Sequence, residues 1–202
     1  PGTFRDQFVL EANGIPYTDL ENGGLPFTAG LAWYTYGIDT MPGSTDQYLP
    51  GIPSGSDTRQ QHTIDASGRM GTTSLFYATN YKDKLYIGFG LGLTGTRYER
   101  YTTHDERVLD ENADMRTVRY KEDLLTTGNG LNVKLGVIGR AGPRVRLGAA
   151  FHSPVWLLLS DAYSYTMTTS FNGGGDPLEE VSPDGTFSYR VTTPWSAVLS
   201  AV

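Results

Sequence analysis

Three histidines, His62, His104 and His152, are the first residues that could do chemistry. Histidine and tyrosine are common axial ligands of haem iron, and imidazoles bind first-row metals. The three lie far apart in the chain, and no two show the close spacing of a metal-binding pair. They are read as ordinary wall or loop histidines. His152 is the strongest of the three because its parity is expected to place it inward, beside Arg146. Asp110, Asn112 and Asp114 open like a calcium loop, D-x-N-x-D. Met115 stands where that loop needs glycine and Lys121 where it needs glutamate, so the stretch is read as a solvated acidic loop without a metal.

The remaining candidates reduce to turns. Gly128-Asn129-Gly130 and Gly173-Gly174-Gly175 open no helix after a strand and lack a following lysine, so neither cradles phosphate. Ser182-Pro183-Asp184-Gly185 reads as a turn with glycine in a left-handed position. Serine, histidine and aspartate all occur, but no G-x-S-x-G elbow does. No enzyme activity and no cofactor are expected.

The elements that must position such residues follow from composition. The 202 residues include 25 Gly and 13 Tyr, with 38% apolar, a mix that disfavours a helical bundle and favours strands joined by turns. A net charge of −6 argues against a nucleic-acid partner, and the absence of cysteine removes disulfide and thiolate chemistry. No run approaches the roughly 18 apolar residues of a membrane helix, whereas a barrel strand needs only about 9–11 residues. Pro1-Gly2-Thr3 and the strand-like end at Ala201-Val202 lead to the expectation of an internal segment of a larger protein.

Along the chain, residues 1–29 read as loop, 31–38 as an aromatic β-prone run, and 39–59 as a long proline-rich loop. Strands are expected over 61–67, 72–80, 84–95, 97–103, 115–125, 131–139 and 144–152. Tyr81-Lys82-Asp83-Lys84 and Arg140-Ala141-Gly142-Pro143 are tight connections, and 103–115 and 170–185 are long polar ones. Short turns at one rim and long loops at the other suit an up-and-down outer-membrane barrel, although a soluble sandwich can imitate them.

The faces favour the barrel. In KLYIGFGLGL (84–93) the odd positions are Leu85, Ile87, Phe89, Leu91 and Leu93, and the even ones after Tyr86 are glycine. A soluble strand would set charge opposite its apolar face, while a barrel in lipid turns the apolar residues outward and keeps small or polar ones inside. Leu85, Ile87, Phe89, Leu91, Leu93, Val145 and Leu147 are therefore expected to face lipid, with Lys134, Arg146 and His152 facing the lumen. Trp33, Tyr34, Tyr36, Trp156 and Trp195 are candidates for interfacial girdles. Phe151, Val155 and the run 156–159 break alternation, which suits a bulge or a hydrophobic ligand path and equally lipid-facing or loop packing. Phe151, His152, Trp156 and Arg146 are the ligand-path candidates.

AWYTYGIDT (32–40), NYKDKLYIGFGLGL (80–93), YKEDLLTTGNGLNVKLGVIGR (120–140), RLGAAFHSPVW (146–156) and SPDGTFSYRVTTPW (182–195) occur in this order. Together they resemble the FadL/TodX family of outer-membrane transport proteins, particularly its Bacteroidetes-type branch, over about residues 30–202. The resemblance implies an all-β, antiparallel, up-and-down transmembrane β-barrel of fourteen strands in the outer membrane of a Gram-negative bacterium. It implies passive uptake of hydrophobic small molecules such as long-chain fatty acids, with an N-terminal hatch and a lateral exit. On this reading residues 1–202 are the central segment of one barrel domain, lacking the hatch and the C-terminal strands. The expected partners are a hydrophobic ligand and outer-membrane lipid or lipopolysaccharide, and the barrel is expected to be monomeric. The alternatives are a soluble or surface β-sandwich binding module, and a haemin-binding or structural outer-membrane barrel.

Overall fold

A computed structural model describes residues 4–53, 55–110 and 113–202. Three short helices come first: α1 (Phe4–Ala12), α2 (Tyr17–Glu21) and α3 (Ala29–Tyr34). The hairpin β1 (Ile38–Thr40) and β2 (Tyr48–Pro50) follows, and then β3 (Thr58–Tyr81), β4 (Leu85–Val108) and β5 (Met115–Arg140). The chain continues through β6 (Arg146–His152), β7 (Trp156–Phe171), β8 (Leu178–Val181), β9 (Gly185–Thr192) and β10 (Ser196–Ala201). β3 to β10 form one sheet in the order β10-β6-β5-β4-β3, with β7 pairing β5, β8 and β9. β5–β6, β6–β10 and β7–β8 pair antiparallel. The expected antiparallel all-β class is therefore the one the chain adopts. Among the described residues β3 pairs with β4 and β10 with β6 at the two ends of this path.

Several local expectations are corrected. Residues 4–12 and 17–21 are helices, not loop; Phe4, Phe8 and Ala12 recur at i, i+4 and i+8, a stripe one helix face can bury. The aromatic run 31–38 lies mostly in α3 and a following turn, because Leu31 and Ala32 are buried there on a helical face. Trp33 and Tyr34 therefore lie in α3, and Tyr36 in the turn before β1; Trp33 packs on Tyr17 and Tyr48. The loop at 39–59 contains most of the β1–β2 hairpin. Strands 61–67 and 72–80 are one strand, and the first part of the polar stretch, as far as Val108, belongs to β4. Gly128-Asn129-Gly130 lies inside β5, where Gly128 and Gly130 let Leu159 and Leu157 of β7 approach the backbone. The triglycine does lie in a turn, with Gly174 and Gly175 at φ 81° and 112°.

The tight turn after β3 has a local cause. Lys82 and Asp83 take φ of 51° and 52°, the paired left-handed geometry that matches the twist of hairpin strands. Asn80 holds it by accepting the Asp83 N–H at 3.0 Å.

The chain divides into two compact units. One comprises Pro1–Ala66, Arg100–Leu124 and Ala162–Gly185; the other comprises Ser67–Glu99, Leu125–Asp161 and Thr186–Val202. The first unit holds the hydrophobic core, in which Leu20, Ile38, Ile52, Val118 and Met167 are fully buried. Each such side chain contributes about 1.5–3 kcal/mol by leaving water. The second unit is mostly sheet.

Three interruptions share one device. At Ser153-Pro154, Ser182-Pro183 and Thr193-Pro194 the strand path breaks, and the hydroxyl before proline takes over a ladder bond. Ser153 Oγ accepts the Val133 N–H at 2.8 Å while Ser153 N–H donates to the Val133 carbonyl at 2.8 Å. Ser182 does the same with Tyr165, and Thr193 with Val155. In a regular antiparallel pair the residue's own carbonyl would accept that N–H. Each hydroxyl also donates to the proline carbonyl. The expected turn at 182–185 is thus a break between β8 and β9, and Gly185 opens β9 without a left-handed φ. Ser153→Ala should strand the Val133 N–H and cost about 1 kcal/mol in chemical denaturation, whereas Ser153→Thr should match the parent because Thr193 already fills this role.

Candidate ligand-binding site

β4 keeps one phase throughout. Thr94, Thr102, Glu106 and Val108, all even-numbered, are buried. Ile87, Phe89 and Leu93, odd-numbered, are 48%, 47% and 49% exposed. Successive strand residues face opposite sides, so one parity defines one face over the whole strand.

In the first unit, that buried face meets α1. Arg5 and Glu106 are only 3% and 1% exposed; the Arg5 Nε–H is paired with Glu106 Oε2, and Nη1 donates to the Ile52 carbonyl at 3.0 Å. Burial pushes the Glu106 carboxyl above the usual carboxylate range, and the Arg5 charge offsets this only in part. The latch sets Phe4 and Phe8 against β5, with the Phe8 and Tyr120 ring centroids 5.2 Å apart. Tyr120 stacks on Tyr165 at 5.7 Å and donates to the Phe27 carbonyl at 2.7 Å. Burial and neighbouring negative charge push both phenols' pKa values up, so each stays neutral.

These rings line a cavity of about 270 Å³ with His104 and Glu122 at its polar edge. His104 Nε2 lies 3.7 Å from Glu122, and Arg100 lies 4.0 Å from the same carboxylate. The His104 ring stacks on His62 with centroids 4.1 Å apart and planes within 12°. Burial first, then His62, hold the His104 pKa below its ordinary 6.5 against the opposing pull of Glu122. The two histidines far apart in sequence thus meet face to face, because β3 and β4 are adjacent strands of one sheet. The arrangement accepts an apolar or aromatic group against the rings and a polar group near His104 and Glu122.

In the second unit the glycine face forms its own hollow of about 500 Å³, lined by residues including Ala78, Gly88, Gly136, Ile138, Gly148 and Ala150. No charged side chain lines it among the described residues. Beside it, a Cβ at Gly90 would come within 2.7 Å of the Phe76 ring, and one at Gly92 within 2.1 Å of Asn132 Oδ1. Those glycines admit neighbouring side chains to the same face.

The residues singled out from sequence do not form one surface. Phe151 and His152 are successive residues of β6 and point to opposite faces. His152 pairs with Lys134 and Ser196, while Arg146 lies at the far end of β6 opposite Arg140, not beside His152. Trp156 opens β7, and Trp195 packs 6.0 Å from Phe151. The parity of β7 gives Trp156 the face opposite Leu157. Leu85, Ile87, Phe89, Leu91 and Leu93 share the face opposite the glycines, and Leu147 is half-exposed on β6. Val145 precedes β6 and accepts the Ala141 N–H at 3.0 Å. Asn112 lies outside the described residues, as do residues 1–3. Among the described residues no cluster of His, Asp or Glu could hold a metal ion.

Sequence reasoning missed the aromatic cavity. Its legible signals were the Phe4–Phe8–Ala12 stripe and the alternation of Val118, Tyr120 and Glu122. No family model matches this chain, and no curated protein matches it.

Glu106→Ala would leave Arg5 as an uncompensated buried charge, an expected loss of about 3–5 kcal/mol, while the pair Arg5→Met with Glu106→Leu should recover most of it in denaturant titration. The pH dependence has two opposing parts. Because His104 titrates below its ordinary value when folded, the unfolded chain takes up a proton first, and stability falls as pH drops below 6.5. Glu106, with a raised pKa, contributes stability at low pH that is lost as pH rises through that pKa. His104→Gln should therefore flatten the loss that sets in as pH drops below the ordinary 6.5 in thermal melts, leaving the Glu106 trend.

Proposed function

We propose that the chain forms part of the wall of a transmembrane β-barrel in the outer membrane of a Gram-negative bacterium and serves passive uptake of hydrophobic small molecules such as long-chain fatty acids. The sequence resemblance to FadL/TodX transport proteins supports this reading. The observation that carries it is a switch on the exposed face within single strands. On β4 the odd residues run Leu85, Ile87, Phe89, Leu91, Leu93 and then, past Gly95, Arg97, Glu99, Tyr101, Thr103, Asp105 and Arg107. On β5 the same parity runs from Arg119, Lys121 and Asp123 to Leu131, Val133, Leu135 and Val137. An apolar stretch of about ten residues matches the hydrocarbon layer, and the charged continuation suits water beyond it.

A soluble sandwich would leave Ile87, Phe89, Leu93, Leu135, Leu147 and Phe151 as an exposed apolar surface facing water, a liability for aggregation. In lipid the same surface is stabilising. The uncharged glycine-face hollow offers an apolar solute a place out of water, and the helical segment packed on the buried face of the first unit would serve as a plug. Transport of this kind makes and breaks no bond. Specificity lies in the shape of the apolar walls and the exclusion of water.

Leu91→Arg should cost roughly 2–4 kcal/mol on a lipid face and block insertion into bilayers, seen as loss of the heat-dependent gel shift of folded barrels. A near-neutral effect overturns the face assignment. Uptake is tested separately: a strain lacking the protein should import labelled long-chain fatty acid more slowly, and recover on complementation. Unchanged import would remove the transport role and leave the fold reading intact.

A further inference from the structure

We propose that the second unit carries, on its apolar face, a site for the phosphorylated headgroup of an anionic membrane glycolipid, with the acyl chains laid along the apolar stripe. This rests on the barrel reading for its setting. The face is defined by contacts on its opposite side. Thr72 and Thr94 share a hydrogen bond at 2.9 Å, and a Cβ at Gly92 would meet both Thr72 and Asn132. Gly128 and Gly130 abut Leu159 and Leu157, and Tyr189 Oη lies 3.4 Å from Asp161. Those residues occupy the glycine face. Their strand neighbours Arg69, Thr73, Leu93, Arg97, Thr127, Asn129, Leu158, Ser160, Ser188 and Arg190 take the other, and the 3.3 Å contact of Ser188 with Ser160 agrees.

With their strand neighbours Thr72, Gly128, Leu159 and Tyr189 these residues line a hollow of about 1250 Å³, and by parity their own side chains lie on the face that bears Ile87, Phe89 and Leu91. It sits where that face changes character: the apolar Leu93 and Leu158 line it together with arginines, threonines, serines and an asparagine. Three arginines converge on it. Arg97 is bonded to Glu99 on the same strand, through Nε at 2.8 Å. Arg69 and Arg190 have no carboxylate partner among the described residues. The nearby Asp161 is turned to the glycine face, where it accepts from Thr126 at 2.6 Å. The hollow is therefore cationic in a chain whose net charge is −6.

The chemistry selects the occupant. Arginine forks match phosphate oxygens in paired hydrogen bonds, and the hydroxyl and amide groups supply further donors. Arg69 and Arg97 stand on adjacent strands, while Arg190 is on β9, separated from β4 by β5 and β7. At about 4.8 Å per strand, that sets the backbones of β4 and β9 roughly 14 Å apart across the sheet. A headgroup with a phosphate at each end, such as a bis-phosphorylated disaccharide, suits arginines on both. A free anion would use the arginines and leave Leu93, Leu158 and the stripe beyond them uncovered, so the lipid is the occupant proposed.

The test uses the full chain in neutral detergent, with a synthetic bis-phosphorylated acyl-disaccharide, its dephosphorylated counterpart and inorganic pyrophosphate as probes, read by native mass spectrometry. The bis-phosphorylated lipid should be retained about tenfold more tightly than the dephosphorylated one, and Arg69→Gln/Arg97→Gln/Arg190→Gln should erase that difference. Pyrophosphate should not displace the lipid at equal concentration. Equal retention of both lipids by the parent protein overturns the proposal without recourse to any variant, as does displacement by pyrophosphate. Because binding is read in detergent, it is independent of the insertion assay on Leu91→Arg, so failure of the site and failure of the barrel reading are distinguishable.

Discussion

Much in the sheet depends on one constraint: every buried residue of β4, from Gly90 to Val108, falls on the same two-residue phase. A single slip would exchange the faces and place Glu106 outside and the leucines against glycine. With the period intact, one strand can bury Thr102, Glu106 and Val108 under helices and present Ile87, Phe89 and Leu93 outward. Its neighbours inherit the assignment through cross-strand contacts. Phe76 of β3 and Lys134 of β5 both approach the strand at Gly90, and the Lys134 ammonium lies 5.8 Å from the Phe76 ring.

Charge is handled differently on the two faces. The Arg5–Glu106 pair is enclosed, and enclosure of this kind specifies where α1 docks more than it adds stability, since desolvation offsets much of the Coulomb attraction. Arg119–Asp105 and Arg97–Glu99 are exposed pairs on the opposite parity, where solvent screening leaves each worth little. Exposed arginines are thus available to bind something else, which is the basis of the proposed lipid site.

The hydroxyl–proline breaks show how a long strand can bend without losing its ladder. Proline lacks an N–H and pushes the preceding residue away from regular pairing. Serine or threonine at that preceding position supplies an oxygen in place of its carbonyl. The device leaves the Val133, Tyr165 and Val155 N–H groups satisfied, a requirement that becomes strict where no water can substitute.

The sequence by itself determined the strand class, the Lys82-Asp83 turn and the two faces of residues 85–93, because period-2 alternation and turn chemistry are local. It did not reveal that 61–67 and 72–80 are one strand, since polar residues such as Asp65, Ser67 and Arg69 look like loop until they are seen on exposed wall. Nor did it reveal α1, whose Phe4–Phe8 stripe is too short to stand out and gains its meaning only against Tyr120. The stacking of His62 on His104, the burial of Arg5 with Glu106 and the gathering of Arg69, Arg97 and Arg190 were decided by tertiary structure alone. Each joins residues from different elements, and their separation along the chain carries no trace of which strands lie side by side.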